Sequence, residues 1–270
     1  MRARSGRARS SPAALLQASL ALHAGAAAAL IARPTLWPWL LGSVAANHLV
    51  LAAAGLWPRS KLLGPNWTRL PESAAVARVA ITIDDGPDAV VTPRVLDQLD
   101  EFAAKATFFC IGERVARQPD LAREILRRGH VIENHSQRHL HRFSLLGPRG
   151  MAGEIRRAQD TIQRVTGEAP RFFRAPAGLR SPFLEPVLAQ LDLQLASWTR
   201  RGFDTVSGDA TAIHARLARG LGEGDILLLH DGHAAQTSAG TPVILEVLPR
   251  LLETCAAAGL TPVTLRAAQA

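Results

Sequence analysis

No tyrosine occurs among the 270 residues, and cysteine, methionine and lysine appear only twice each. The two cysteines, Cys110 and Cys255, are far apart, match no metal-ligand spacing and support no disulfide framework, which leaves the redox compartment open. Cys110 sits inside the apolar run Ala106–Ile111, where a thiol behaves as a small buried hydrophobe. Five tryptophans and eight phenylalanines supply all the ring surface. No internal repeat is present, which sets aside the solenoid architectures. The scarcity of lysine against abundant arginine and alanine reads as mutational bias more than function. The length leaves room for one large domain and a small appendage.

A formal charge of +8 and a pI near 11.1 point to nucleic acid or membrane only if the charge is spread over a working face. It is not spread. Arg2, Arg4, Arg7, Arg9, Arg33, Arg59, Lys61 and Arg69, set against the single acid Glu72, give residues 1–72 a net +7. The remainder sums to +1, so no nucleic-acid partner is expected for the main domain.

The appendage is instead apolar. Ala13–Ile31 and Leu36–Trp57 carry no formal charge, and each approaches the roughly 20 residues that cross a bilayer as a helix. Trp37 and Trp39 begin the second run, Trp57 ends it, and Arg59 and Lys61 close it, as interfacial anchors do. Asn47 and His48 near its middle read as facing the first helix or snorkelling, with a functional polar site as the alternative. The first run, alanine-rich after a basic start, could also be a signal-peptide core, and a buried hairpin of a soluble protein is a third reading. The expected organisation is one or two transmembrane helices in residues 1–60, in contact with membrane lipid, a linker over 61–78 marked by Gly64, Pro65 and Pro71, and a main domain over 79–270. If both runs span, the arginine bias places both chain ends on the cytoplasmic side of a bacterial inner membrane. Cleavage of the first run would leave the main domain periplasmic or extracellular.

From Val79 the pattern becomes strand–helix alternation. Strands are expected at Val79–Ile83, Ala106–Ile111, His130–Glu133, Arg171–Phe173, Leu193–Trp198, Asp225–Leu229 and Thr261–Leu265. Helices are expected at Thr92–Ala103, Pro119–Arg128, Met151–Thr166, Ser181–Ala189, Ala210–Leu221 and Pro242–Ala258. This alternation gives an α/β fold with a parallel sheet or barrel, in which reactive residues gather at the carboxyl ends of strands. Five polar clusters obey that rule: Asp84-Asp85-Gly86-Pro87, Asn134 to His139, Arg174 to Gly178, Trp198 with Asp204, and His230-Asp231.

His135 and His139 stand four apart, and on one helical turn they would point the same way, a common means of holding a divalent metal. Asp84-Asp85 offers a third ligand and leaves one carboxylate free as a general base, or else forms only a turn capped into Asp88 and Thr92. His230 reads as a general acid, against the alternative of a satisfied core histidine. Arg174 could orient the base or simply pair with a surface carboxylate. His130 and His141 read as structural, and His233 carries no argument.

These motifs resemble the NodB-type polysaccharide deacetylases, a carbohydrate esterase group that includes chitin-oligosaccharide and peptidoglycan N-acetylglucosamine deacetylases. Thr82-Ile83-Asp84-Asp85-Gly86-Pro87 is similar to T-F-D-D-G-P, His135 to His139 to H-[ST]-x-x-H, Arg174 to Gly178 to R-x-P-aromatic-G, and Leu228-Leu229-His230 to L-x-H. The resemblance spans about residues 79–267 and implies a distorted (β/α) barrel of seven parallel strands. It implies Asp84 as catalytic base and Asp85, His135 and His139 as ligands of a zinc-like divalent metal. Arg174 would position Asp84, His230 would be the acid and Asp204 would tune it. The backbone N–H of Ala177, beside Pro176, would bind the oxyanion, with Trp198 walling the site. The motif of Trp198 and Asp204 is only partly kept, since Arg201 replaces an aspartate and Thr205 a tryptophan, and in the Arg174 to Gly178 motif Ala177 replaces an aromatic. A chain this poor in groove aromatics is badly suited to stacking along a rigid polysaccharide, so the expected partner is an N-acylated aminosugar glycan or a lipid-linked sugar. Deformylation of a lipid-linked aminosugar is an open variant. A silent sugar-binding protein would have lost base, ligand or acid, and none is lost. A membrane assembly protein would depend on residues 1–60 alone.

Overall fold

Arg33-Pro34 breaks the apolar N-terminal stretch into two helices, α1 (Ala14–Ala32) and α2 (Trp37–Leu56), joined by a 3-10 turn over Pro34–Leu36. The computed structural model describes residues 13–73 and 76–269, so Arg2, Arg4, Arg7 and Arg9 lie outside the described residues. Both helices are long and apolar enough to cross a membrane, with mean hydropathy of 1.7 and 1.5. Only 6% and 11% of these stretches are buried in the protein, unlike a core helix of a soluble domain. The mid-helix polar groups face each other: Asn47 Nδ2 donates to Ser19 Oγ at 2.9 Å, and the His48 ring meets His23 edge-on at 5.2 Å. With arginines ahead of α1 and Arg59 and Lys61 after α2, two spans would leave the main domain cytoplasmic. Protease added to sealed vesicles of known orientation should then cut the domain only from the cytoplasmic face. Digestion from the outer face alone would overturn the two-span arrangement.

Short β-rich apolar runs build the sheet: β1 (Arg78–Asp84), β2 (Ala106–Cys110), β3 (Val131–Asn134), β4 (Phe172–Phe173), β5 (Gln194–Leu195), β6 (Arg200–Arg201), β7 (Ile226–His230) and β8 (Thr261–Pro262). Seven run side by side, all parallel, in the order β5-β4-β3-β2-β1-β7-β6, and β8 pairs with the start of β1. The barrel foreseen from the alternation is therefore a half-barrel, open between β5 and β6. Helices α3 (Val91–Glu101), α4 (Gly112–Arg117), α5 (Pro119–Arg127), α6 (Pro148–Thr166), α7 (Leu184–Gln190), α8 (Ala210–Ala218) and α9 (Ile244–Ala257) accompany it. The two-residue period of the strands divides the core. Ile81, Ile83 and Phe108 pack outward with Val95, Leu99 and Leu248, while Ala80, Phe109 and Leu228 share the inside with Trp198.

Several elements differ from expectation. The stretch expected as one strand over Leu193–Trp198 keeps only Gln194–Leu195, and a separate β6 follows at two arginines. Residues 61–73, within the stretch expected as a linker, lie against the sheet. Leu63, Asn66 and Leu70 are buried, Trp67 forms a parallel bridge with Ala196, and Leu70 N–H donates to Gly224 O at 2.8 Å. Turn residues such as Gly64 and Pro65 here shape a docked segment, because Trp67 and Leu70 supply apolar surface that the open side of the half-barrel buries.

Candidate active site

Parallel pairing puts Asp84, the last residue of β1, opposite His230, the last residue of β7. Asp84 is buried, and its Oδ1 accepts a 2.6 Å hydrogen bond from Arg174, which follows β4. Arg174 is itself held at every nitrogen: it donates to Thr82 Oγ1, Ala196 O and Ser197 O, and its guanidinium lies 4.0 Å over the Phe109 ring. A fully buried guanidinium is tolerable only when paired and satisfied in this way. The turn alternative for the aspartates is taken over by Asp88, whose Oδ1 accepts from the N–H groups of Val90 and Val91.

His135 and His139 do come together, with ring centroids 4.8 Å apart, but not on a helix. Residues 135–142 form a bent loop in which Ser136 and His139 both take positive φ, 64° and 50°. Asn134 Oδ1 accepts from Ser136 N–H, and Ser136 Oγ accepts from His139 N–H, which fixes that loop. His135 Nδ1–H donates to Arg174 O at 2.9 Å, so its Nε2 carries a free lone pair. That Nε2 and the Nε2 of His139 lie 3.4 and 3.3 Å from Asp85 Oδ1, a buried oxygen with no hydrogen-bond partner. Burial opposes ionisation of Asp85, but its contacts with His135 and His233 outweigh that and hold the carboxyl well below the usual range. Burial, helped by the neighbouring His135, brings His139 down to about 4, so it is neutral near pH 7. Three lone pairs converging on one point repel unless a cation lies between them. The donor set therefore fits a divalent metal, with the Asp85, His135 and His139 donor atoms all within 4.8 Å of one another.

Across the pocket, Asp204 fixes His230 twice: Oδ1 accepts from Nδ1–H at 2.9 Å and Oδ2 from the backbone N–H at 2.7 Å. This tautomer leaves His230 Nε2 as the free ring nitrogen. Burial disfavours the imidazolium, yet the hydrogen bond and charge of Asp204 outweigh it and raise the His230 pKa. Asp84, Asp85, His135, His139, Ala177, Trp198 and His230 line one pocket of about 220 Å³. Pro176 is buried and begins the turn in which Ala177 takes φ 55°.

Three histidines behave differently from their sequence reading or confirm it. His141, read as structural, lines the pocket. His233, given no role, has its Nδ1 2.9 Å from Asp85 Oδ2 and its Nε2 3.3 Å from Arg114. The signal is its place three residues after His230, on the turn leaving the carboxyl end of β7. His130 is structural as expected: it packs on Phe108 and its Nδ1 accepts from Ala106 N–H. Asp231 was passed over too. It is buried, takes a short hydrogen bond from the Thr92 hydroxyl, and burial pushes its pKa up to about 7.

Residues 73–196 match the family described as polysaccharide deacetylase. A peptidoglycan-N-acetylglucosamine deacetylase of Bacillus cereus is 34% identical over 175 residues, which cover 64% of this chain and 81% of the relative. The chain belongs to the polysaccharide deacetylase family. As a polysaccharide deacetylase it is a hydrolase acting on amide bonds. A chitooligosaccharide deacetylase of Bradyrhizobium is also 34% identical, over 57% of this chain and 71% of its own. A family 4 carbohydrate esterase from Streptomyces lividans, solved in complex with acetate, superimposes with a TM-score of 0.62 at 32% identity, covering 69% of this chain and 91% of that one. The fold is thus that of the polysaccharide deacetylase family.

Proposed function

We propose that the protein is a membrane-anchored, zinc-dependent deacetylase that removes the acetyl group from an N-acetylated aminosugar. The observation that carries this is the convergence, in one pocket, of an arginine-anchored Asp84, the Asp85–His135–His139 donor set and the Asp204-bound His230. The named relatives act on peptidoglycan N-acetylglucosamine and chitooligosaccharides, which supports an aminosugar amide as the reacting group.

Asp85, His135 and His139 would hold a divalent ion, which would supply Lewis-acid activation of water and of the amide carbonyl. Two imidazoles and one carboxylate are the protein ligand count of catalytic zinc sites. Asp84 takes the proton of the attacking water on Oδ2, the oxygen that Arg174 leaves free. Arg174 holds that carboxylate in place. Ala177, whose N–H has no acceptor among the described residues, donates to the oxygen on which negative charge develops. His230 hands the Nε2 proton to the departing amine, and Asp204 stabilises the imidazolium that carries it. The amide C–N bond breaks, and acetate and a free aminosugar leave. Trp198 gives the sugar ring an apolar wall.

Full-length protein loaded with zinc should release acetate from at least one member of a panel of N-acetyl sugars, polymeric, oligomeric and lipid-linked, with the N-formyl counterparts alongside. Absence of any acyl release from the whole panel would overturn the reading. His139→Ala removes one of three protein ligands, so metal content should fall markedly in the purified variant. Unchanged stoichiometry and affinity would refute this ligand set.

A further inference from the structure

The deacetylase reading leaves open what the sugar is attached to, and two observations bear on it. The first is where α2 ends. Its last turn and the residues after it are fixed to the pocket rim: Arg180 N–H donates to Gly55 O at 3.0 Å, and Ser197 Oγ and Asn66 Nδ2 donate to Pro58 O at 2.7 and 2.8 Å. Arg59 donates to Thr199 O. Gly178, a pocket residue with φ 72°, has no room for a side chain because Trp198 and Pro58 fill the space. The wall of the pocket thus touches a residue two positions beyond the apolar helix. The exposed large apolar side chains beyond residue 60 are arranged accordingly. Leu62 and Val76 aside, they are Val90, Leu145, Phe183, Phe203 and Val206. All five stand in segments that leave the carboxyl ends of strands, the face on which the pocket opens. Single exposed apolar residues are ordinary, but five of these seven on one face continuous with membrane-length helices suit a lipid-facing surface.

The second observation is a charge without a partner. In the pocket Asp84 pairs with Arg174, Asp204 with His230, and Asp85 with three imidazoles. Arg201 also lines the pocket, and no described carboxylate pairs with it. Its guanidinium lies 4.9 Å from the Phe203 ring centroid and 5.6 Å from that of Trp198, and its Nε is buried with no hydrogen-bond partner. Two rings hold the cation in place while its fork of donors stays free, which is how an anion receptor is built. We infer that this pocket takes its aminosugar from the membrane surface as a phosphate-linked glycolipid, with Arg201 receiving the phosphate. A phosphate diester keeps its charge throughout the neutral range and matches the bidentate geometry of guanidinium.

The test uses the full chain, zinc-loaded, in phosphatidylcholine vesicles. Three substrates are compared: N-acetylglucosamine 1-phosphate esterified to a polyisoprenyl chain, the same phosphosugar as its soluble methyl ester, and neutral tri-N-acetylchitotriose. The lipid-borne phosphosugar should give the highest kcat/KM. Arg201→Gln should cut the ratio of phosphosugar to neutral kcat/KM by roughly 10- to 100-fold, the scale of a lost charge-assisted hydrogen bond. Calorimetric titration with the soluble phosphosugar should show binding weakened by about tenfold or more in the variant. An unmoved ratio together with unmoved binding would overturn the role of Arg201. Equal turnover of the soluble and lipid-borne phosphosugars would overturn membrane presentation. If no substrate released acetate while Arg201-dependent binding persisted, the deacetylase reading would fail and the anion site would stand.

Discussion

Asp84→Asn will keep near-normal zinc and lose turnover by about 10²-fold or more, the scale of a general-base contribution. Asp85→Asn will lose metal and activity together, and excess zinc will restore part of both. The asymmetry follows from what each carboxylate touches. Asp84 gives Oδ1 to Arg174, and its other oxygen lies 3.8 Å from His135 Nε2, at the margin of the metal cluster. Asp85 presents Oδ1 to both histidines and has no other bond at that oxygen. An asparagine at 84 can still accept from Arg174 but cannot take a proton from water. It also leaves a buried guanidinium without its counter-charge, which costs about 3–5 kcal/mol. Thermal unfolding is therefore measured beside metal content and kinetics, so that a folded, metal-loaded and inactive protein is identified as such. The opposite pattern, with Asp84→Asn losing its metal and Asp85→Asn keeping both metal and activity, would reverse the two roles.

His230→Ala should lower kcat by about 10²- to 10⁴-fold through loss of the general acid. The finer test is Asp204→Asn. Burial pulls the His230 pKa down, and the hydrogen bond and charge of Asp204 pull it up by more, so the folded value stands above that of an ordinary histidine. The acid must be protonated to act. The alkaline limb of kcat/KM in the native enzyme should accordingly lie above the ordinary histidine value of about 6.5. In Asp204→Asn the raising influences are reduced while burial remains, so the limb should move to lower pH and the rate at pH 8 should fall further than the rate at pH 6. Full pH profiles of both proteins decide the matter. A limb that stays in place would remove His230 from the acid role.

Much of this site was legible because the fold rule and the chemistry coincide at strand ends. Asp84, Arg174 and His230 each terminate or follow a short apolar run, and a reactive residue there has few structural reasons to exist. The spacing of His135 and His139 points to a helix, whereas the two rings meet across a bent loop. Four-residue spacing brings side chains together on a helix, but Ser136 and His139 reach the same end through positive φ and Asn134's side chain. β6 was illegible for a plainer reason: two arginines have neither apolar character nor alternation, and their strand pairing is imposed by β7. Helix α4 was likewise hidden, being six residues long and cut off before Pro119. His233 stands on a loop after β7, where no periodicity exists to mark which side chains turn inward.

The segment carrying Trp67 decides where this chain can be trimmed. Trp67 N–H bonds to Leu195 O at 2.9 Å and Trp67 O receives Ser197 N–H at 2.8 Å, so the segment occupies the hydrogen-bonding groups on the outer side of β5. Its indole also meets the Phe172 ring at 5.2 Å. A protein started at Val79 would present that row of donors and acceptors naked, next to an apolar hollow left by the indole and Leu70. Such a border invites another copy of the chain to add its own strand, and the product would be oligomers or precipitate rather than a tidy soluble enzyme. Exchange of the two helices for another segment is structurally permitted only if the graft joins upstream of Gly55, whose carbonyl Arg180 N–H already holds and whose position has no room for a side chain.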